Sequence, residues 1–365
     1  MTYNTELMEL YTDLIRIPSI SDDIPSLHQI IHYVQDYFAW LPNARIHLHE
    51  FNQKPSIVIS NFAGLHADIT LSWHLDVVPA TQEGQFEPRV EWTIMYARGA
   101  TDMKDGVAII MHLMKDILIS WYTDKNISLM LTTDEEVGGF DGVGALVKEW
   151  YNADVVLIPD SGDENHIINK GKGILSFDIE YHGKACHSAK PRLGDNAIDK
   201  IIEAYTTLKR TIENRQAAYD TPEHRWTTVN LNIIQWGTAW NVISNYAKGH
   251  IDIRFTEDFT VDTLKSDIDT MLNPLGVTMS HETYGECVYS DPLDTEIEKY
   301  FMICKNIVGE ASFANQHGAT DGRWFNNAKV LLHKCNGGNL HTDDERTDIN
   351  SMHTIYECYK QFIYS

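Results

Sequence analysis

A change of hydrophobic period divides this chain and limits its fold more than any other feature. Up to Lys172, short apolar runs alternate with amphipathic helical stretches. Strand-like runs fall at 44–49, 56–60, 68–73, 90–96, 127–131 and 155–158. Helical periodicity falls at 5–17, 25–40, from about Met103 to Leu118, and at 143–150. From Gly173 the period becomes two, with apolar and polar residues alternating over 173–182, 227–235, 249–256 and 277–283. Helical stretches at 196–212 and 261–272 interrupt them. The first pattern then resumes, with helix at 295–308, strand at 330–333 and helix at 350–364. Strands alternating with helices predict a mixed, mainly parallel sheet sandwiched by helices, an α/β fold. The strand–helix–strand–strand–helix–strand segment predicts a smaller ferredoxin-like α+β domain inserted into it. The expected division is therefore 1–172 with 284–365 for the larger domain and 173–283 for the insert.

In open α/β sheets, ligands gather beyond the strand ends. His74 ends one apolar run, Asp102 lies in the polar turn Arg98-Gly99-Ala100-Thr101-Asp102, and Glu135 and Glu136 follow 127–131. Asp160 follows 155–158, and His341 lies in a Gly-rich loop after the strand at 330. Each has an ordinary explanation alone: a core histidine satisfied by Asp76, an aspartate capping a helix, a solvated acidic turn. Together they supply two imidazoles and several carboxylates, a donor set for two divalent ions. Asp102, short and on a turn, suits a carboxylate shared by ions ~3.5–4 Å apart. Of the adjacent Glu135 and Glu136, one can hold a metal while the other stays free as a general base. In a strand, residues two apart share a face, so Asp76 stands behind His74 and can orient its ring.

The formal charge of −23 opposes any phosphate backbone, so nucleic acid is not an expected partner. No apolar run reaches the about 18–20 residues that span a membrane. Five scattered cysteines and an N-terminus without a basic start or apolar stretch predict reduced thiols and a cytoplasmic protein.

Three motifs carry a resemblance. His74-Leu75-Asp76-Val77-Val78-Pro79, Arg98-Gly99-Ala100-Thr101-Asp102-Met103-Lys104-Asp105-Gly106 and Asp134-Glu135-Glu136-Val137-Gly138-Gly139 are similar to the signatures of one two-zinc metallohydrolase family. That family includes acetylornithine deacetylase, succinyl-diaminopimelate desuccinylase, carboxypeptidase G-type enzymes and several di- and tripeptidases. The resemblance spans nearly the whole chain and implies a zinc-peptidase type of fold. It implies two Zn²⁺ per subunit, with Co²⁺ or Mn²⁺ able to substitute. His74 and Asp160 would hold one ion and Glu136 and His341 the other, with Asp102 bridging. Glu135 would be the general acid/base, and Asp76 would orient His74. It also implies a cis peptide after the bridging residue, at Asp102–Met103.

In the insert, Gly183-Lys184-Ala185-Cys186-His187-Ser188-Ala189 resembles the family's histidine loop. There His187 would help stabilise an oxyanion, in dimeric members by reaching the partner's site. The insert would thus serve as a dimerisation or lid domain of a homodimer. Asn241, Arg254 and Gly338 lie in segments resembling substrate-binding ones, with Arg254 placed to clamp a carboxylate. Gly318-Ala319-Thr320-Asp321-Gly322-Arg323 resembles a further active-site loop. Asp160 stands where the deacylase and carboxypeptidase branches usually carry Glu, which favours a small-peptide hydrolase. Asn336-Gly337-Gly338-Asn339 replaces the usual Gly-Pro-Gly type of loop. The resemblance therefore implies metal-dependent cleavage of an amide bond in a small peptide. The rival within enzymes is an N-deacylase of an N-acyl amino acid, deacetylase or desuccinylase in type. The rival of another class is a non-catalytic zinc-binding scaffold.

Overall fold

A computed structural model describes residues 5–120, 123–215, 226–237 and 239–365. The chain divides into two compact units. One comprises Met1–Lys170, Tyr289–Gln316 and Thr320–Ser365; the other comprises Gly171–Val288 and His317–Ala319.

The first unit is built on a nine-stranded sheet. Its centre is parallel, in the order Ile127–Thr132, His66–His74, Asn152–Ile158, Lys329–Leu332. Lys54–Ser60 adds antiparallel to Ile127–Thr132, and Arg45–Phe51 adds antiparallel outside it. On the other side His166–Gly171 pairs antiparallel with Lys329–Leu332. Every residue of Ile127–Thr132 is buried, as expected of a strand covered on both faces. The edge strand Arg45–Phe51 is largely open to solvent and carries His47 and His49. Helix Asp105–Ser120 is buried almost all round, so it lacks the polar stripe of a surface helix. Helices Thr5–Arg16, Ile24–Ala39 and Ile349–Ile363 bury one face each, and their apolar residues join those of the sheet in one core.

Two expectations need correction. Residues 90–96 are not one strand but a hairpin, Arg89–Glu91 paired with Ile94–Tyr96. Trp92, at φ 59°, makes the turn and projects into solvent, so an apolar residue there carried no strand signal. Nor does Asp102 cap a helix. The helix proper starts at Asp105, and Ala100–Lys104 is an irregular turn in which Asp102 has φ −132° and ψ 84°. The Asp102–Met103 bond is cis. The strands His166–Gly171 and Ser312–Gln316 were not expected, because their polar residues break the apolar runs.

The second unit is a four-stranded antiparallel sheet in the order Thr228–Trp236, Tyr246–Phe255, Gly173–His182, Thr278–Gly285. With helices Ala197–Asn214 and Val261–Leu272 between strands, this is the ferredoxin-like order. Alternation sets its two faces. Leu175, Phe177 and Ile179 pack against Ile201, Leu208, Leu264 and Ile268. Their neighbours Asp178 and Glu180 bind Lys248 at 2.8 and 3.2 Å on the other face. Asn196 caps the first helix, accepting from the Ile198 amide at 3.2 Å. Thr260 and Thr263 form a capping box on the second. Among the described residues, no helix is long and apolar enough to cross a membrane.

Candidate active site

Parallel strands deliver the site. His66–His74, Ile127–Thr132 and Asn152–Ile158 run side by side in one direction, so the residues after them emerge at one edge. His74 ends the first, Glu135 and Glu136 sit in a short 3-10 turn after the second, and Asp160 follows the third. Asp102 comes from the irregular turn. His341 comes from a loop that follows Lys329–Leu332 and holds φ 62°.

Two donor groups share one carboxylate. Donor atoms of His74, Asp102 and Asp160 lie within 4.8 Å of one another, as do those of Asp102, Glu136 and His341. Asp102 Oδ1 is 3.2 Å from His74 Nε2, and Oδ2 is 3.1 Å from His341 Nε2. Glu136 Oε2 is 3.3 Å from His341 Nε2. Glu135 belongs to neither group. It lines a small cavity beside them with Ser72, His74, Met103, Asp160 and Asp321.

The residues fit a pair of divalent cations. His74 Nδ1 lies 3.0 Å from the Asp76 carbonyl oxygen, which can only accept, so the proton sits on Nδ1. Nε2 faces Asp102 Oδ1, another acceptor, at 3.2 Å, a place that either a proton or a metal ion can fill. Neither His74 Nε2 nor Glu136 Oε1, both buried, has a hydrogen-bond partner. Acceptors facing one another across a buried gap need a cation between them. The donor set, imidazole nitrogen with carboxylate oxygen, suits zinc and its neighbours.

Electrostatics carry the same crowding. Burial would raise the Asp102 carboxyl, but the His341 and His74 rings and Lys334 outweigh it and hold the group well below the carboxylate range. Burial opposes charging of His74, yet Asp102 and Asp76 hold its pKa well above the ordinary value. His341 is pushed up to about 9, first by its hydrogen bond to Asp102. Burial pushes Glu136 up to about 7, and Asp102 adds to it. Burial also raises the Glu135 carboxyl well above its ordinary value, with His74 opposing and Asp160 and Asp321 adding to the rise.

Positioning groups extend beyond the sequence-based expectation. Besides its carbonyl contact with His74, Asp76 keeps its Oδ1 3.5 Å from His74 Nδ1. Its carboxylate accepts instead from the Glu135 and Glu136 amides, both at 3.2 Å, and from Ser21 Oγ at 2.8 Å. It thus ties the glutamate turn to the histidine strand. Glu345 does the same for Asp102. Its carboxylate accepts from the amides of Gly99, Thr101 and Asp102, each at 3.1 Å, and from Arg98 Nη1 at 2.6 Å. Asp134 accepts from the Asp141 and Gly142 amides at 2.7 and 2.9 Å and closes the loop after the glutamates. Buried Lys334 offsets part of the acidic charge, lowering Asp102, Asp105 and Asp160. The one sequence signal near these groups was the Arg98 cation at the head of the polar turn.

The remaining predicted residues are spread more widely. Gly338 lies in the two-residue strand Gly337–Gly338, in the same unit as the two donor groups. A Cβ on Gly338 would meet nothing, whereas one on Gly337 would stand 2.0 Å from Thr101 Oγ1. His187, Asn241 and Arg254 belong to the second unit. His187 pairs with Val242 in a two-stranded bridge, and the Asn241 carbonyl accepts from the Ser188 amide at 3.0 Å. Arg254 Nε donates to Asp252 Oδ2 at 3.1 Å.

A bridging carboxylate, one histidine and one further acid on each side, and a loose glutamate beside them are the layout of a two-metal hydrolase. The family comparison agrees: the model of Peptidase family M20/M25/M40 matches residues 70–365, and the chain belongs to that family. It is a metal-dependent hydrolase of amide bonds. The chain is 30% identical over 294 residues to an acetylornithine deacetylase of Yersinia pseudotuberculosis, covering 73% of this chain and 72% of that one. It is 26% identical over 334 residues to a succinyl-diaminopimelate desuccinylase of Wolbachia pipientis, covering 86% and 82%. An M20 family metallo-carboxypeptidase from Sulfolobus solfataricus shares the fold, with a TM-score of 0.74 over 98% of both chains at 16% identity.

Proposed function

We propose that this enzyme hydrolyses the amide bond of a small peptide bearing a free carboxylate, using two zinc ions and Glu135 as general acid/base. His74 and Asp160 would hold one ion, Glu136 and His341 the other, and Asp102 both. Bound there, the ions supply Lewis acidity toward the substrate carbonyl and lower the pKa of water. Asp76 holds the His74 ring and the glutamate turn in place. Glu135 takes the proton from the attacking water and returns it to the leaving nitrogen. The observation that carries the reading is Asp102 lying between two histidines while Glu135 remains outside both donor groups.

His187 would stabilise the oxyanion. Its Nδ1 accepts from the Ala189 amide at 3.1 Å, which leaves the N–H on Nε2 to donate. Asn241 and Gly338 would contact substrate, and the Arg254 guanidinium would take the carboxylate through Nη1 and Nη2 while Asp252 holds Nε. The five free cysteines support a reducing, cytoplasmic setting. A second reading, an N-deacylase of an N-acyl amino acid, is favoured by the deacetylase and desuccinylase names of the relatives.

Glu135→Gln should retain metal and lose about 10²–10⁴-fold in kcat. Near-normal turnover by a metal-loaded variant would overturn the mechanism. Side-by-side hydrolysis of dipeptides, tripeptides, N-acetyl and N-succinyl amino acids with Zn²⁺, Mn²⁺ or Co²⁺ separates the two substrate readings. Turnover confined to the N-acyl compounds would replace the first with the second.

A further inference from the structure

Away from the carboxylate site, two thiols and an imidazole meet in the core of the first unit. Cys304 lies on helix Thr295–Val308, Cys358 on helix Ile349–Ile363, and His333 just past strand Lys329–Leu332. All three are fully buried. One donor atom from each lies within 4.8 Å of the others. The chain has five cysteines, and two of them, from separate helices, converge on one histidine.

The histidine is held in the form a metal needs. Its Nε2 lies 3.1 Å from the Glu164 carbonyl oxygen. A carbonyl only accepts, so the proton is on Nε2 and Nδ1 carries the lone pair. That lone pair faces the Tyr300 hydroxyl at 2.7 Å and Cys304 Sγ at 3.9 Å. Metal-bound histidines are oriented in this way, by donating the other ring N–H to a carbonyl or carboxylate. Tyr359 donates to the His333 carbonyl, and the rings of Tyr300 and Tyr359 pack edge-on against the imidazole. The ring is thus fixed in place and in tautomer.

We infer that Cys304, His333 and Cys358 form a separate structural site for a thiophilic metal, zinc by preference, with the Tyr300 hydroxyl oxygen within reach as a fourth donor. Two sulfurs and one imidazole are the donors of closed structural zinc sites, unlike the carboxylate-rich active site. On binding, each thiol releases its proton to solvent, and the two thiolates cancel the dication's charge. No net charge is then left in the apolar core. The site joins two helices to the strand whose continuation leads to His341.

The test is cobalt substitution of the whole enzyme, expressed in zinc-depleted medium supplemented with Co²⁺. Thiolate bound to Co²⁺ produces a sulfur-to-metal charge-transfer band in the near ultraviolet, which nitrogen and oxygen donors cannot. The band therefore reads this site independently of what the active site holds. The expected result is the band, with one equivalent of metal that resists a brief chelation sufficient to abolish activity. Cys304→Ser should lose both, while a Cys186→Ser/Cys287→Ser variant should keep them. If Cys304→Ser does not fold, wild type still decides: no band in the cobalt-grown protein overturns the inference. Loss of the band in the Cys186→Ser/Cys287→Ser variant overturns it too. So does a Cys304–Cys358 disulfide, read by peptide mapping of the unfolded, alkylated protein.

Discussion

At the scale of single residues, the site depends on carboxylates outside the two donor groups. Glu345 and Arg98 are each about 1% exposed and joined at 2.6 Å. Burial raises the Glu345 carboxyl, and Arg98 with the Gly99 amide works against that rise. The pair earns its place through geometry, because the same carboxylate fixes three amides of the turn that carries Asp102. Glu345→Gln keeps the shape and leaves Arg98 charged without a counter-charge. Removing one partner of a buried ion pair costs about 3–5 kcal/mol. Urea unfolding should show a loss of that order, and metal affinity should fall because Asp102 is no longer held. Unchanged stability and unchanged metal affinity would mean the turn is fixed by other contacts. Glu345 was not legible in the sequence as a supporting residue. It sits 247 positions from Arg98, and no local pattern records a pairing at that separation.

At the scale of elements, periodicity was enough wherever one physical cause dominated. Buried parallel strands read as apolar runs, and the helix 261–272 was bounded correctly because its capping and its stripe agree. The histidines and acids gathered at strand ends were legible for the same reason, since a strand's end is the point where an apolar run meets polar residues. Elements shaped by tertiary contacts were not. The hairpin at Trp92 turns on a left-handed residue, and the irregular turn at Ala100–Lys104 is held by the distant Glu345 carboxylate. The loop after the glutamates is another such element. Gly139 has φ 66°, and a Cβ there would stand 2.0 Å from Asp321 Oδ1. Gly139→Ala should lose roughly 1–2 kcal/mol for the left-handed backbone and about 1–3 kcal/mol for overpacking. Thermal unfolding measures the sum. A variant as stable as the parent would show that the loop is not close-packed against Asp321.

At the scale of the whole molecule, both end strands of the second unit's sheet, Thr228–Trp236 and Thr278–Gly285, pair on one side only among the described residues, and the first is the more apolar edge. Thr228–Trp236 pairs with Tyr246–Phe255 on one side, and among the described residues no strand pairs with it on the other. It exposes Ile233 and Trp236, each with more than half of its surface in solvent. A nine-residue edge strand with apolar residues is a template for another strand unless something covers it. The partner we propose is the same strand of a second copy, related by a two-fold axis, so that two four-stranded sheets join. A net charge of −23 opposes two copies meeting, so the contact must rest on apolar area and backbone hydrogen bonds. Salt screens that repulsion, so the dimer should tighten as ionic strength rises, opposite to an interface built on ion pairs. Sedimentation at micromolar concentration should give twice the chain mass. Ile233→Lys places a cation on the edge and should shift the protein to monomer without unfolding it, as circular dichroism would check. A wild-type monomer at high salt, or an Ile233→Lys protein that remains dimeric, would rule this edge out as the interface.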